Sequence, residues 1–168
     1  MPPLPIFVVH KHRAKRLHYD FRLEKNGVLV SWAVPKGPSM ATSEKRLAVA
    51  VDDHDLSYAG YEGVIPEASY GAGPVMVWDT GTYRDMSPAG WDTGRIEVEL
   101  AGAKLAGKFA LVRMKGRGDN NWLLMKMKDG RQREDDILQT APNSAKTGRT
   151  MEQIAAESPT APPCEVKG

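Results

Sequence analysis

The chain has 168 residues, 41% apolar and 26% charged, with a formal net charge of +2; that is enough for one domain with a real core and hardly enough for two. A single cysteine, Cys164, excludes an internal disulfide framework and fits a reducing compartment. No apolar run approaches the ~20 residues of a membrane span, and Met1, Pro2 and Pro3 do not open a signal peptide.

Taken in order, the elements read as strands. Residues 6–9 are a short apolar run, residues 18–24 alternate strictly, and residues 28–34, 47–51, 75–78, 96–100, 109–114 and 122–128 have strand length with β-branched or alternating character. Turn signals separate them, among them Asn26-Gly27, Lys36-Gly37-Pro38, the Gly-rich stretch at residues 70–74 and Asp129-Gly130. Many short strands with no long helical pattern predict an all-β fold, a closed barrel or a sandwich, since either protects its strand edges. Residues 135–146 are polar and irregular. Residues 150–157 predict a short helix, with Thr150 and Gln153 spaced as a capping box. The predicted division is a barrel domain over residues 1–133 and a tail or interdomain linker over residues 134–168.

Charge is distributed unevenly. Residues 10–46 carry Lys11, Arg13, Lys15, Arg16, Arg22, Lys25, Lys36, Lys45 and Arg46 against Asp20, Glu24 and Glu44; residues 52–67 carry acids and no Lys or Arg. Within the basic part stand His12, His18, Asp20 and Arg22. On a strand, His18, Asp20, Arg22 and Glu24 share one face, and Tyr19, Phe21 and Leu23 share the other, a core face. Same-face neighbours lie ~6.5–7 Å apart along a strand and can converge on one ion. His12 is expected from the preceding loop as a third ligand. Two imidazoles and one carboxylate leave positions open for water and substrate, and suit Mn²⁺, Zn²⁺ or Fe²⁺ better than Mg²⁺ or Ca²⁺. A metal-dependent oxygenase uses the same trio, but crowding by Arg and Lys favours an anionic substrate.

His54 follows the strand at residues 47–51, in the acidic run Asp52, Asp53 and Asp55. A histidine there suits a phosphate contact or a general acid; Tyr58 suits either core or site. Two motifs are decoys. The glycines at residues 71 and 73 lack the Lys-Ser/Thr and the helix of a phosphate loop, and read as a turn. Lys126, Met127, Lys128, Asp129 and Gly130 miss the K-x-D-G of an adenylated lysine by one residue and read as a strand and turn.

Taken together, the pieces resemble one family. They are Phe7-Val8-Val9, His12, Leu17-His18-Tyr19-Asp20-Phe21-Arg22-Leu23-Glu24, Ser31-Trp32-Ala33-Val34-Pro35-Lys36-Gly37-Pro38-Ser39, Lys45-Arg46-Leu47-Ala48-Val49, Asp53-His54 with Tyr58, Tyr61-Glu62-Gly63-Val64-Ile65-Pro66-Glu67, and Tyr70-Gly71-Ala72-Gly73 before Val77-Trp78-Asp79. The chain resembles the 3′-phosphoesterase domain of bacterial end-joining DNA ligases (DNA ligase D), over about its first 130 residues. The resemblance implies a compact β-barrel whose crater holds Mn²⁺, with Zn²⁺ or Co²⁺ as substitutes. The metal ligands fall on His12, His18 and Asp20. The phosphate-handling and catalytic residues fall on Arg22, His54 and Tyr58, with Lys36 and Arg46 as further basic contributors.

Arg46 and His54 are eight residues apart, ~26 Å on a straight strand, so the strand must bend or end for both to serve one site. The implied activity heals DNA 3′ ends: removal of a terminal ribonucleoside, then hydrolysis of the 3′-phosphate to a 3′-OH. Family members carry a longer segment ahead of the residue matched by His12, which leaves phosphate hydrolysis the firmer of the two steps. Residues 144–157 resemble the linker that leaves this domain in multidomain ligases. The implied partners are DNA 3′ ends and ligase and polymerase modules, in the cytoplasm and at the nucleoid. The alternative is a non-catalytic module that binds 3′ ends and recruits a ligase or polymerase.

Overall fold

Two-residue alternation governs the first strands of the computed structural model, which describes residues 3–67, 72–116 and 118–162; Cys164 and the 70–71 half of the Gly-rich turn lie outside them. β1 (Ile6–Arg13), β2 (Leu17–Lys25) and β3 (Val28–Val34) form an antiparallel meander. Asn26 (φ 52°) and Gly27 (φ 83°) both take left-handed backbone between β2 and β3, the conformation that lets a two-residue turn follow the strand twist. β3 pairs with β4 (Lys45–Asp55), and the sheet continues through β9 (Asn121–Lys126), β8 (Ala106–Arg113), β7 (Arg95–Gly102) and β6 (Gly73–Asp85). β6 returns to β1, so eight antiparallel strands close a barrel; the short β5 (Gly63–Ile65) adds to β6 outside that ring. The all-β barrel expected from the strand count is the fold observed.

The barrel is filled by the odd-numbered side chains of β1 and β2 and their counterparts. Phe7, Val9, Tyr19, Phe21, Leu23, Trp32, Trp78, Phe109, Leu111 and Leu124 share one buried cluster. The even-numbered side chains of β1 and β2 therefore point outward, and a second, smaller cluster of Val8, Leu29, Tyr58, Tyr61, Ile65, Val75 and Val77 covers part of that outer face. Several strands outrun their sequence limits. β1 continues through His10 to Arg13, so His12 lies on a strand and not in a loop; it is held on both sides, by β2 and by β6. Backbone pairing on both edges carries the strand through polar residues that end its apolar run.

Between Arg133 and Pro162, two short helices pack onto the barrel. α1 (Ile137–Thr140) and α2 (Met151–Ala155) place Ile137, Met151 and Ile154 in the main cluster. The capping box forms as spaced: Gln153 N donates to Thr150 Oγ1 (3.1 Å) and Thr150 N donates to Gln153 Oε1 (2.9 Å).

The lysine of the near-miss K-x-D-G stretch has a structural role. Lys126 Nζ is fully buried and donates to Asp129 Oδ1 (2.6 Å) and Met127 O (2.7 Å). Burial would raise the Asp129 carboxyl pKa; the Lys126 hydrogen bond and the N–H groups of Lys108 and Arg131 override it and hold it at about 2. A carboxyl depressed from its ordinary value of 3.8 stabilises the fold above about pH 4, and that contribution is lost as the pH falls toward 2. Asp129→Asn leaves Lys126 charged and buried, and is expected to destabilise the protein by about 3 kcal/mol in urea unfolding at neutral pH. It should also flatten the decline in stability between pH 4 and pH 2; an unaltered acid limb would refute this account of Asp129.

Candidate active site

The outward face of β1, β2 and β3 carries the polar constellation. Cross-strand register sets His10 opposite Asp20 and His12 opposite His18 on β1 and β2, and Arg22 opposite Ser31 on β2 and β3. Strand parity therefore assembles His10, His12, His18, Asp20, Arg22 and Ser31 from three neighbouring strands on one face. His54 joins them through an irregularity. The β3–β4 register runs Ser31 to Val51 but Leu29 to His54, so β4 carries one extra residue. Before the bulge, Ala48 and Ala50 face the barrel core, and even numbers point inward; after it, His54 points outward. Asp55 then accepts from Ser57 N (3.3 Å) and caps a 3-10 turn, Leu56–Gly60, that sets Tyr58 beside His54 with ring centroids 4.9 Å apart.

His12, His18 and Asp20 each offer a ligand atom, and these atoms lie within 4.8 Å of one another. His18 Nε2 and His12 Nδ1 stand 3.1 and 3.9 Å from Asp20 Oδ2. Both groups that face His18 accept only: the Arg16 carbonyl, 3.3 Å from Nδ1, and the Asp20 carboxylate, 3.1 Å from Nε2. A second proton on His18 satisfies both acceptors, and a metal ion held by Nε2 and Asp20 would leave the one ring proton on Nδ1 for the carbonyl. The proton alternative is visible in the pKa values. Burial opposes charge on His18, yet the Asp20 hydrogen bond and charge raise its pKa. Burial would raise Asp20, but His18, Arg22 and His12 together bring it down to about 2. This donor set fits a divalent transition metal.

Arg22 is the hub beside the trio, with 2% of its surface exposed. Nε donates to His10 Nδ1 (3.0 Å), Nη1 to Ser31 Oγ (2.9 Å) and His54 Nδ1 (3.0 Å), and Nη2 lies 3.4 Å from Asp20 Oδ2. Because a guanidinium only donates, both imidazoles accept through Nδ1 and carry their proton on Nε2. The Asp52 carbonyl is the longer contact to His54 Nδ1, at 3.3 Å. Burial first, and the Arg22 charge second, hold His54 neutral with a pKa of about 4 and lower His10 well below its ordinary value. Tyr58 is buried between these groups: its ring packs against His10 (4.9 Å), stacks on Tyr61 (5.5 Å) and lies under the Arg22 guanidinium (5.1 Å).

The wall that carries Tyr58 is held from behind. Glu62, its side chain 1% exposed, accepts from Val77 N (2.9 Å), Ser144 Oγ (2.6 Å), Arg149 Nη2 (2.8 Å) and Thr147 Oγ1. Tyr61 Oη donates to Thr160 O (2.8 Å). The C-terminal segment thus fastens the stretch between Tyr58 and β5.

A cavity of about 870 Å³ opens over this face, lined by the trio, Arg22, His54 and Tyr58, and by Lys15, Arg16, Val51, Asp52, Ile65 and Glu67. Of the residues expected at the site, the structure brings six into this lining: His12, His18, Asp20, Arg22, His54 and Tyr58. Lys36 and Arg46 are elsewhere. Arg46 Nη1 donates to the carbonyls of Lys36 (2.7 Å) and Gly37 (3.3 Å), at the end of β4 remote from His54 and with the inward parity of Ala48. His10 was not anticipated; its signal was period two, since Val8, His10 and His12 share a face once β1 is read through to Arg13. Ser31 is visible only through its register with Arg22, although its strand is predicted with the observed bounds.

The sequence profile of the family described as the DNA Ligase D 3′-phosphoesterase domain matches residues 10–113. Among curated proteins, the chain is 47% identical over 151 residues, 86% of its length, to the multifunctional non-homologous end joining protein LigD of Pseudomonas aeruginosa. It is 48% identical over 125 residues to the multifunctional non-homologous end joining DNA repair protein LigD of Mycobacterium tuberculosis, and 46% over 131 residues to the Mycolicibacterium smegmatis protein, 73% of the chain in each case. The matched portions make up 18%, 16% and 17% of those proteins, so the chain spans less than a fifth of the curated relatives it matches. By the profile match and by these identities, the chain belongs to the DNA ligase D 3′-phosphoesterase domain family.

Proposed function

We propose that the protein is a Mn²⁺-dependent DNA 3′-end phosphoesterase, acting in the cytoplasm on broken ends before a ligase or polymerase module, in cis or in trans, completes repair. Its reaction hydrolyses a 3′-phosphate to a 3′-OH, with removal of a terminal ribonucleoside as the companion step. The observation that carries this reading is one cavity shared by a two-His, one-Asp donor set and a buried, fully oriented arginine, in a chain of this family. His12, His18 and Asp20 would hold the ion. A bound divalent ion supplies Lewis-acid stabilisation of phosphoryl charge.

The remaining roles follow from the protein's own groups. Arg22 is oriented in advance by His10, Ser31, His54 and Asp20, so its positive charge meets a phosphoryl group without reorganisation. His54 is neutral and carries its proton on Nε2. It therefore serves as a hydrogen-bond donor to a phosphate oxygen and not as an imidazolium acid. Tyr58 fixes the planes of His10, His54 and Arg22 by packing. Val51, Ile65 and Tyr58 give the cavity apolar walls that thin the water around the phosphate and strengthen these contacts.

Release of inorganic phosphate from a 3′-phosphate oligonucleotide across a metal panel tests the proposal. EDTA, or His18→Ala, should abolish release; full activity in EDTA would sink the reading. Salt-dependent binding to 3′ ends without turnover under any metal would instead establish an end-binding module. Arg22→Lys keeps the charge but loses the planar fork that engages Asp20, His10 and Ser31 together. It is expected to lower kcat by about 100-fold or more, and a variant within a factor of a few of wild type would remove Arg22 from the assigned role.

A further inference from the structure

Among the described residues the cavity is lined by three cations, Arg22, Lys15 and Arg16, and their situations differ. Arg22 is buried and engaged by Asp20, His10, Ser31 and His54. Lys15 and Arg16 stand exposed on the connection between β1 and β2. Neither side chain has a carboxylate partner among the described residues, whereas Arg46, Arg95 and Arg133 are paired with Glu44, Glu97 and Asp135. Two unpaired cations in the wall of a cavity hold a standing attraction for an anion.

Their position relative to the metal trio is fixed. The Arg16 carbonyl holds His18 Nδ1 at 3.3 Å, so the connection that carries Lys15 and Arg16 is joined to a ligand side chain. At its root, Gly73 (φ +122°) brings the start of β6 against Arg13; a Cβ there would meet the Arg13 carbonyl oxygen at 2.2 Å. The cavity is also larger than one phosphoryl group needs. The donor atoms of the trio lie within 4.8 Å of one another, while the cavity, at about 870 Å³, is near the upper end of the ~300–1,000 Å³ range of small-molecule pockets. The acids of the lining sit on other elements: Asp52 on β4 and Glu67 after β5. Neither has a Lys or Arg partner among the described residues. Phosphate is disfavoured beside them and favoured along the connection between β1 and β2.

We propose that Lys15 and Arg16 form a subsite for the phosphodiester linkage on the 5′ side of the terminal 3′-phosphate. The favoured substrate is then a nucleic-acid strand and not a nucleoside monophosphate. This rests on the 3′-phosphoesterase reading and adds the path of the strand: from the trio outward across the connection between β1 and β2, away from Asp52 and Glu67.

Binding decides it, measured with Mn²⁺ present by fluorescence anisotropy of a short oligonucleotide ending in a non-hydrolysable 3′-phosphonate, over a series of salt concentrations. Competition by a nucleoside 3′-phosphonate reads the terminal site alone. Lys15→Gln combined with Arg16→Gln should flatten the slope of log affinity against log salt by about 0.7, the value for one single-strand phosphate contact. The same variant should weaken the oligonucleotide about tenfold more than the nucleoside probe. Lys15→Arg with Arg16→Lys should keep the wild-type slope. An unchanged slope in the Gln variant, or equal weakening of both probes, overturns the subsite. The parent reading fails separately: a flattened slope in a protein that releases phosphate under no metal leaves the subsite standing and removes the catalysis.

Discussion

Arg22 carries a permanent charge with 2% of its surface exposed, and a guanidinium taken out of water is tolerated only when its donors find acceptors and its charge finds a partner. Every neighbour answers that requirement. Asp20 supplies the counter-charge, Ser31 a hydroxyl, and His10 and His54 a lone pair each. Removing any one of these leaves a buried donor unmet, so the group is specified as a unit rather than pairwise. The same demand explains why two histidines at the site are neutral: a protonated ring would turn an N–H toward a cation that has nothing to accept it with.

Asp20 is shared between this arginine network and the candidate metal trio. One oxygen, Oδ2, stands 3.1 Å from His18, 3.4 Å from Arg22 and 3.9 Å from His12. Its carboxyl is ionised far below neutrality, so a single negative charge orients both halves. Changes at Asp20 therefore act on the candidate ion site and on the aim of Arg22 together, and substitutions there are not expected to be additive with substitutions at either partner.

Much of this was legible in the residues. Alternation over residues 18–24 placed His18, Asp20 and Arg22 on one face, and β2 keeps them there. The Asn26-Gly27 turn and the Thr150–Gln153 capping box are local rules with local outcomes. What was not legible depends on pairing between distant strands. His10 and Ser31 acquire meaning only from their partners across the sheet. The extra residue in β4, which reverses parity between Ala50 and His54, is a property of the β3–β4 ladder and leaves no mark in a run of Asp and His. That bulge is also why eight residues on one strand separate Arg46 and His54 in direction as well as in distance. Residues 135–146 are polar and irregular, and nothing in that stretch announces that Ser144 answers a carboxylate 82 positions earlier.

That last link has a consequence for how the site comes into being. The metal trio, Arg22 and His54 all lie within the first third of the chain, but the wall that carries Tyr58 is secured through Glu62 by Ser144, Thr147 and Arg149. A chain emerging from the ribosome could pair β1 with β2 and β3 early and still lack the groups that fasten this wall. The proposed site is thus complete only with residues 144–149 in place, well after the residues assigned its chemistry.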